Sequence, residues 1–401
     1  MSVFYFFGFK INLIFDFDDR RMTYLSYNDF MFIKSIVAIQ HKIQELVKVH
    51  QFNMDFSDGL IRLFFNQASL LHNLNRPNQG QTQDTNEDSL IKSVIKSKLS
   101  KHPLNSQSSN LLDVAIDEGV KNLQAKTYVT NPFYHHMKMT FQTSGKWQLV
   151  QESYKPYQPI ICGDVITDAN RHYLDITPIG YFKEPFSFLS LKENDVTWMS
   201  LTPFEMETMA IALNSVSGTV VALGLGLGYF ASMAAMKTNV KQVIVVEKDK
   251  QVIELYTKHI QPFIPHQNKI SIFQSDAFAF LNQKVFADHI FVDIYRTAQD
   301  GLPLYIAFKK IEKKLAKPTW HYWLEDSILG LFRRYLMIYL KEQYEGLGHE
   351  HYQSSQSFED TLLSEIHRIN KDFNIENVAQ LQSWLSKKSI KEMLTKINNL
   401  K

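Results

Sequence analysis

The segment GTVVALGLGLGYFASMAAM, residues 218 to 236, constrains the fold more than any other part of the chain. It is the most apolar stretch, yet glycines at 224, 226 and 228 stand near its middle, where they would weaken a membrane-spanning helix. Its apolar run is also marginal in length for a bilayer. Four further apolar segments follow at short intervals: QVIVVE, KISIFQ, DHIFVD and HYWLE. Each is rich in β-branched or aromatic residues, and helical patterns opening near Tyr229, Asp249, Ala277 and Leu302 fill the gaps. Strand and helix in alternation, with short connections, require parallel strands joined by right-handed crossovers. The expected fold is therefore α/β, an open, doubly wound Rossmann-like parallel sheet over residues 201–330, with no membrane span.

Upstream the periodicity changes. From Asn28 to about His50, Phe32, Ile36, Ile39, Ile43 and Leu46 recur at spacings of four and three, one face of a helix. Two heptads do not make a coiled coil, so packing within its own domain is the first expectation and a homodimer contact the second. A second helix is expected around Ile61 to Leu71. The polar tract NLNRPNQGQTQDTNED, 73–88, has almost nothing to bury and reads as a mobile loop. Helical patterns resume at Ser89 to Leu99 and Leu111 to Leu123, so 22–140 is expected to be a helical N-terminal region. Residues 1–21 read as an extension ahead of Met22 or as disordered. They lack the basic start of a signal peptide, and Asp16, Asp18 and Asp19 stand where its cleavage site would fall.

Between about Lys146 and Trp198 the segments are short, β-branched or aromatic, and punctuated by Pro and Gly, which predicts a small antiparallel sheet in a β-rich subdomain, 141–200. In SLTPFEMETMAIAL, Thr202 fits an N-cap, Pro203 the first helical position and Glu205 the third residue after the cap. This capping-box pattern gives Glu205 a structural role. After Glu325 only helical patterns remain, a helical C-terminus over 331–401 in which Arg333 and Arg334 are expected on a solvated face.

Charge and cysteine content exclude some functions. The 401 residues carry a formal charge of +2, which gives no reason to expect nucleic acid or a membrane surface as partner. The single cysteine, Cys162, excludes an intramolecular disulfide and a thiolate-rich metal site and points to a reducing, cytoplasmic location. Adjacent His135 and His136 point apart in regular structure, and His349 and His351 lie in a Gly-flanked loop. Without proper ligand spacing no metal is expected.

The glycines suit a ligand turn. A dinucleotide fingerprint needs Gly-x-Gly-x-x-Gly, but its sixth position here is Tyr229. Gly-Leu-Gly-Leu-Gly is a different turn, in which the backbone passes close beneath a ligand. The second strand ends in Glu247, about 20 residues on, where nucleotide-binding sheets place a carboxylate for ribose hydroxyls. The third ends at Asp276 and Ala277, and the fourth at Asp293 and Tyr295, on the edge where open α/β sheets bind ligands. Asp276 also fits a helix cap, and Glu247 with Asp249 flanks a helix start. Taken in order behind the glycine turn, these groups read as one pocket.

The motifs VVALGLGLGYF, VIVVEKDKQVIELY, ISIFQSDAFAFL and DHIFVDIY resemble motifs I to IV of the class I S-adenosylmethionine-dependent methyltransferases. Within that superfamily they are most similar to the spermidine-synthase-like branch, over about residues 200 to 330. The small preceding sheet resembles the β-rich N-terminal piece of the aminopropyltransferases. The resemblance implies S-adenosyl-L-methionine as cofactor, with Gly224, Gly226 and Gly228 around its methionine and ribose, Glu247 on the ribose, Lys248 in the same site, and Asp276 and Ala277 at the adenine. It puts Asp293 at the reaction centre.

Some positions depart from the pattern. Ala222 stands where many methyltransferases carry an acidic residue, and Arg296 stands where aminopropyltransferases carry a second aspartate, which disfavours polyamine synthesis. The Asn-Pro-Pro-Tyr signature of adenine and glutamine methylation is absent. Asp293 is the candidate general base, with Tyr295 as a second catalytic candidate and Glu325 on the same edge. The expected function is methyl transfer to a small-molecule or protein acceptor, with aminopropyl transfer or a catalytically silent cofactor-binding scaffold as alternatives.

Overall fold

The five apolar runs of the glycine-turn region fold as one parallel sheet in the computed structural model. Strands β1 (Gly218–Leu223), β2 (Val240–Glu247), β3 (Ile270–Gln274), β4 (His289–Val292) and β5 (Thr319–Tyr322) lie in the order β3-β2-β1-β4-β5. The structure describes residues 4–6, 9–11, 27–65, 85–100, 109–137, 141–283, 285–315, 317–345, 357–371 and 375–398. They divide into two compact units: Met1–Asn53, Asp168–Leu174 and Ile328–Lys401 in one, Met54–Thr167 and Asp175–Ser327 in the other. The sheet belongs to the second unit.

Val220, Val221, Ala222 and Leu223 are at most 1% exposed, as a central strand with neighbours on both edges requires. Ala222 pairs with Val245 on one side and Phe291 on the other, so the carboxyl ends of β1, β2 and β4 reach one edge of the sheet. The chain adds β2 and β3 on one side of β1, then crosses to add β4 and β5 on the other. Such a reversal leaves a crevice beyond the strand ends, between β1 and β4.

Helices α1 (Pro203–Ser215), α2 (Tyr229–Met236), α3 (Lys250–His259), α4 (Ala277–Leu281) and α5 (Ala298–Lys314) surround these strands in sequence. Their starts follow from local chemistry. Asp249 accepts from Gln251 N–H at 2.8 Å to cap α3, and Asp276 accepts from Phe278 and Ala279 N–H at 2.9 and 3.0 Å to cap α4. Thr297 and Asp300 form a capping box that starts α5 at Ala298, earlier than the expected Leu302. The last strand also differs from expectation. HYWLE does not run as a strand to Glu325: β5 ends at Tyr322, Leu324 takes a φ of 52°, and Glu325 opens the helix Glu325–Glu345.

The expected small sheet is divided. Gln142–Ser144, Trp147–Tyr154, Phe186–Glu193 and Val196–Ser200 form a four-stranded antiparallel sheet. Ile179–Tyr181 pairs instead with Val120–Asn122 in parallel and with Ile160–Ile161 antiparallel. Helix Ser109–Gly119 therefore ends short of Leu123. A Cβ on Gly119 would stand 2.6 Å from the carbonyl oxygen of Thr177, and the chain continues from this close contact as a strand.

The two helices expected between Asn28 and Leu71 are one, Tyr27–Phe65, with Ile39, Ile43, Leu46, Val49, Phe52 and Phe56 buried along it. The side chains of Phe32 and Ile36 lie outside the described residues, as do 66–71. Of the expected mobile loop, 73–84 lies outside the described residues, whereas 85–88 forms the first turn of helix Thr85–Leu99. There Glu87 and Asp88 suit the positive end of the helix and accept from the hydroxyls of Tyr157 and Tyr181.

In the first unit, Arg333 is not solvated. It is 5% exposed, lies over the Tyr173 ring at 4.7 Å and donates from Nε to the Leu385 carbonyl at 3.2 Å. Nearby, Trp384 Nε1 donates to Asn370 Oδ1 at 2.9 Å, and His367 Nε2 stands 3.0 Å from Glu342 Oε2. Among the described residues no helix is long and apolar enough to cross a membrane.

Candidate functional site

The glycine turn is shaped by the protein's own atoms. Leu223 O, at the end of β1, accepts from Asp293 N–H at 2.9 Å, and Gly224 N–H donates to Val246 O at 2.9 Å. Gly224 takes a φ of 100°, and a Cβ there would overlap the carbonyl oxygen of Asp293. Gly226, with a φ of 52°, faces the sulfur of Met199. At Gly224 the obstacle is backbone, and both positions take the left-handed conformation that glycine adopts most readily. Gly228 is the N-cap of α2 and faces the Tyr256 ring.

A cavity of about 200 Å³ lies beyond the strand ends. Its wall takes Gly224 and Gly226 from the turn, Glu247 and Lys248 after β2, Asp276 and Ala277 after β3, and Asp293 and Tyr295 after β4. Gly228 is not on that wall, and neither is Glu325, which accepts from the Tyr305 hydroxyl at 2.7 Å.

Each acidic group has a distinct environment. Glu247 accepts from Leu225 N–H at 3.1 Å through Oε2 and from Asp249 N–H at 2.8 Å through Oε1, which ties the glycine turn to β2. A carboxylate offers about four lone-pair sites, so two amides leave capacity for hydroxyl donors. Burial holds its carboxyl above the usual range, against the pull of those amides. Asp276 uses Oδ1 to cap α4 while lining the cavity, so cap and wall coincide in one residue. Asp293 is pushed up to about 7, first by burial and then by the charge of Glu247. Tyr295 is 3% exposed and donates its hydroxyl proton to the Trp323 carbonyl. Burial raises its own ionisation well above the ordinary value, so it shapes the wall with its proton already committed.

Glu205 is the residue that the capping-box pattern misassigns. Thr202 makes no side-chain cap, and its N–H donates to Ser200 O at 2.8 Å, so no reciprocal box forms. Glu205 instead enters the cavity wall at 7% exposure. Burial, then the charge of Asp293, push its carboxyl well above the usual range, opposed by a backbone hydrogen bond from Ser200. A signal was present in the sequence: Glu205, Met209 and Ala212, spaced by four and three, share the buried face of α1.

Trp198 and Met199 also line the cavity, although no sequence pattern marks them. They come from the antiparallel sheet, where pairing jumps from Leu191↔Met199 to Lys192↔Thr197. The jump leaves Trp198 as the extra residue of a β-bulge. Successive side chains of a regular strand point to opposite faces, and the bulge lets both reach one cavity. Arg296 lies over the Trp198 ring at 5.1 Å.

No protein-family model matches the chain, and no curated protein matches its sequence. Among solved structures, a spermidine synthase from Thermotoga maritima is similar at 16% identity over 36% of this chain and 55% of that one, with a TM-score of 0.27. A spermidine synthase in complex with the transition state analogue AdoDATO is similar at 15% identity over 36% of this chain and 54% of that one, also with a TM-score of 0.27. The chain thus spans about half the length of the structures it matches.

The cavity combines a carboxylate with spare acceptor sites, Glu247, and a carboxyl that changes protonation near neutral pH, Asp293. The second is the property a general base requires. A wider cleft of about 460 Å³, lined by Asp88, Lys92, Lys96, Asp113 and Asp117, is of another kind. Its lysines pair with its aspartates in partly exposed ion pairs, a solvated charged surface without the apolar wall of a small-molecule site. Among the described residues no His, Cys, Asp and Glu group is suited to a metal. His135 and His136 stand edge to face, and His349 and His351 lie outside the described residues.

Proposed function

We propose that the chain binds S-adenosylmethionine in this cavity and transfers its methyl group to a small-molecule or protein acceptor, with Asp293 as the proton acceptor. A single observation carries the reading: Gly224, Gly226, Glu247, Asp276 and Asp293 share one wall at the point where strand order reverses. These residues fit the cofactor. Glu247 keeps acceptor capacity for a ribose diol, the turn presents no side chain at Gly224 and Gly226, and the carboxyls of Glu205 and Asp293 suit a neighbouring cationic centre. When bound, the cofactor supplies an electrophilic methyl group on a sulfonium. Asp293 takes the proton that the acceptor's nucleophilic atom gives up. Tyr295, Trp198 and Trp323 line the cavity beside it and exclude water from the reacting atoms.

Calorimetry with S-adenosylmethionine, decarboxylated S-adenosylmethionine and NAD tests this reading. Micromolar-range binding is expected for the first alone, and its loss in Gly226→Val. A branched side chain there meets Met199 and resists the left-handed backbone. Unchanged affinity in that variant, or preference for NAD, would overturn the assignment.

A further inference from the structure

The cavity is small for such a ligand. Its volume of about 200 Å³ lies below the few hundred to a thousand cubic ångströms usual for small-molecule pockets. Met199 stands on its wall, against the glycine turn. The residue is 7% exposed, and its Sδ accepts from Leu227 N–H at 3.2 Å, so the thioether sits directly on the glycine turn. The bulge at Trp198 turns it there. Three other amides of the turn are held by oxygen: Gly224 N–H by Val246 O at 2.9 Å, Leu225 N–H by Glu247 Oε2 at 3.1 Å and Gly228 N–H by Leu225 O at 2.7 Å. Leu227 N–H is held by sulfur, a weak acceptor. A carboxylate oxygen accepts from an amide much more strongly, and a methionine side chain, with three rotatable bonds, repacks at low cost.

We propose that Met199 is a displaceable plug that sets ligand specificity, an inference that rests on the cavity being an S-adenosyl nucleoside site. A nucleoside whose tail carries a carboxylate takes over Leu227 N–H and drives the thioether off the turn. The same nucleoside without that tail binds beneath the plug and leaves it seated. Met199 then discriminates between ligands that share an adenosine and differ only in the group on sulfur.

Methyl-carbon NMR of the full chain labelled at its 13 methionines reads the plug directly, with the Met199 signal identified by its loss in Met199→Leu. S-adenosylhomocysteine is expected to move that signal toward the position of a freely rotating side chain. 5′-Methylthioadenosine is expected to leave the rotamer unchanged. Leucine keeps the bulk but cannot accept from Leu227 N–H, so Met199→Leu should raise the preference for S-adenosylhomocysteine over 5′-methylthioadenosine by about fivefold. If S-adenosylhomocysteine binds while Met199 stays seated, or if the preference does not change in the leucine variant, the plug is overturned and the cavity assignment stands. If neither nucleoside binds, both fall.

Discussion

Replacing Gly224 with alanine is expected to lower folding stability by roughly 3 kcal/mol or more and to abolish nucleoside binding. The added methyl group would overlap the carbonyl oxygen of Asp293, a backbone atom that yields only if the chain itself moves. Asp293 N–H is tied to Leu223 O at 2.9 Å, and Trp323 N–H is tied to Val292 O at 3.0 Å, so the end of β4 is fixed from both sides. Either β1 and β4 separate at the switch point or the turn refolds. Gly145→Ala is the matching control. Gly145 has a φ of 57°, but its Cβ would meet only the far end of the Gln251 side chain, which can move. That variant should lose only the cost of the left-handed conformation, about 1–2 kcal/mol. Denaturant titration of the two variants separates backbone crowding from conformational strain. Equal losses would mean that β1 and β4 do not cross so closely.

Asp293→Asn is expected to reduce kcat/KM by about a hundredfold or more and to remove its pH dependence near neutrality. In the wild type, the rate should rise with pH through about 7, as the carboxyl loses its proton. Stability should move the other way. The unfolded carboxyl titrates near 4 and the folded one at about 7, so between these values the folded chain holds a proton that the unfolded chain has released. The stabilisation is complete below about pH 4 and is lost as pH rises through 7. Asparagine carries no such charge. The variant should therefore match the wild type near pH 4 and melt roughly 5 °C higher at pH 8. A variant less stable than the wild type at pH 8 would contradict the buried, charge-penalised environment of Asp293.

Much of the sheet is legible in the sequence because its strands read as short runs rich in β-branched and aromatic residues, and β1 to β4 fall within two residues of TVVAL, QVIVVE, KISIFQ and DHIFVD. Strand β5 is less so. In TWHYWLE an aromatic run continues past the strand to Trp323, and the end of the strand is set by Leu324 entering the left-handed region, which no periodicity signals. Glu205 illustrates a different limit. Its capping-box pattern is the same whether or not the box forms, and the outcome turns on Thr202 N–H, which bonds to Ser200 O. Trp198 and Met199 escape notice because their bulge arises from pairing with Leu191 and Lys192 across a hairpin. Arg333 is buried by Tyr173 and Leu385, both far from it in the chain.

Hydrogen exchange of the full chain with and without S-adenosylhomocysteine reads whether the glycine turn and the strand ends act as one site. If the glycine turn and three strand ends enclose one nucleoside, exchange should slow together in 223–228, 247–249, 275–279 and 293–296. Binding accompanied by slowing in only one of these segments, or by slowing elsewhere in the chain, would show that they do not form a common site.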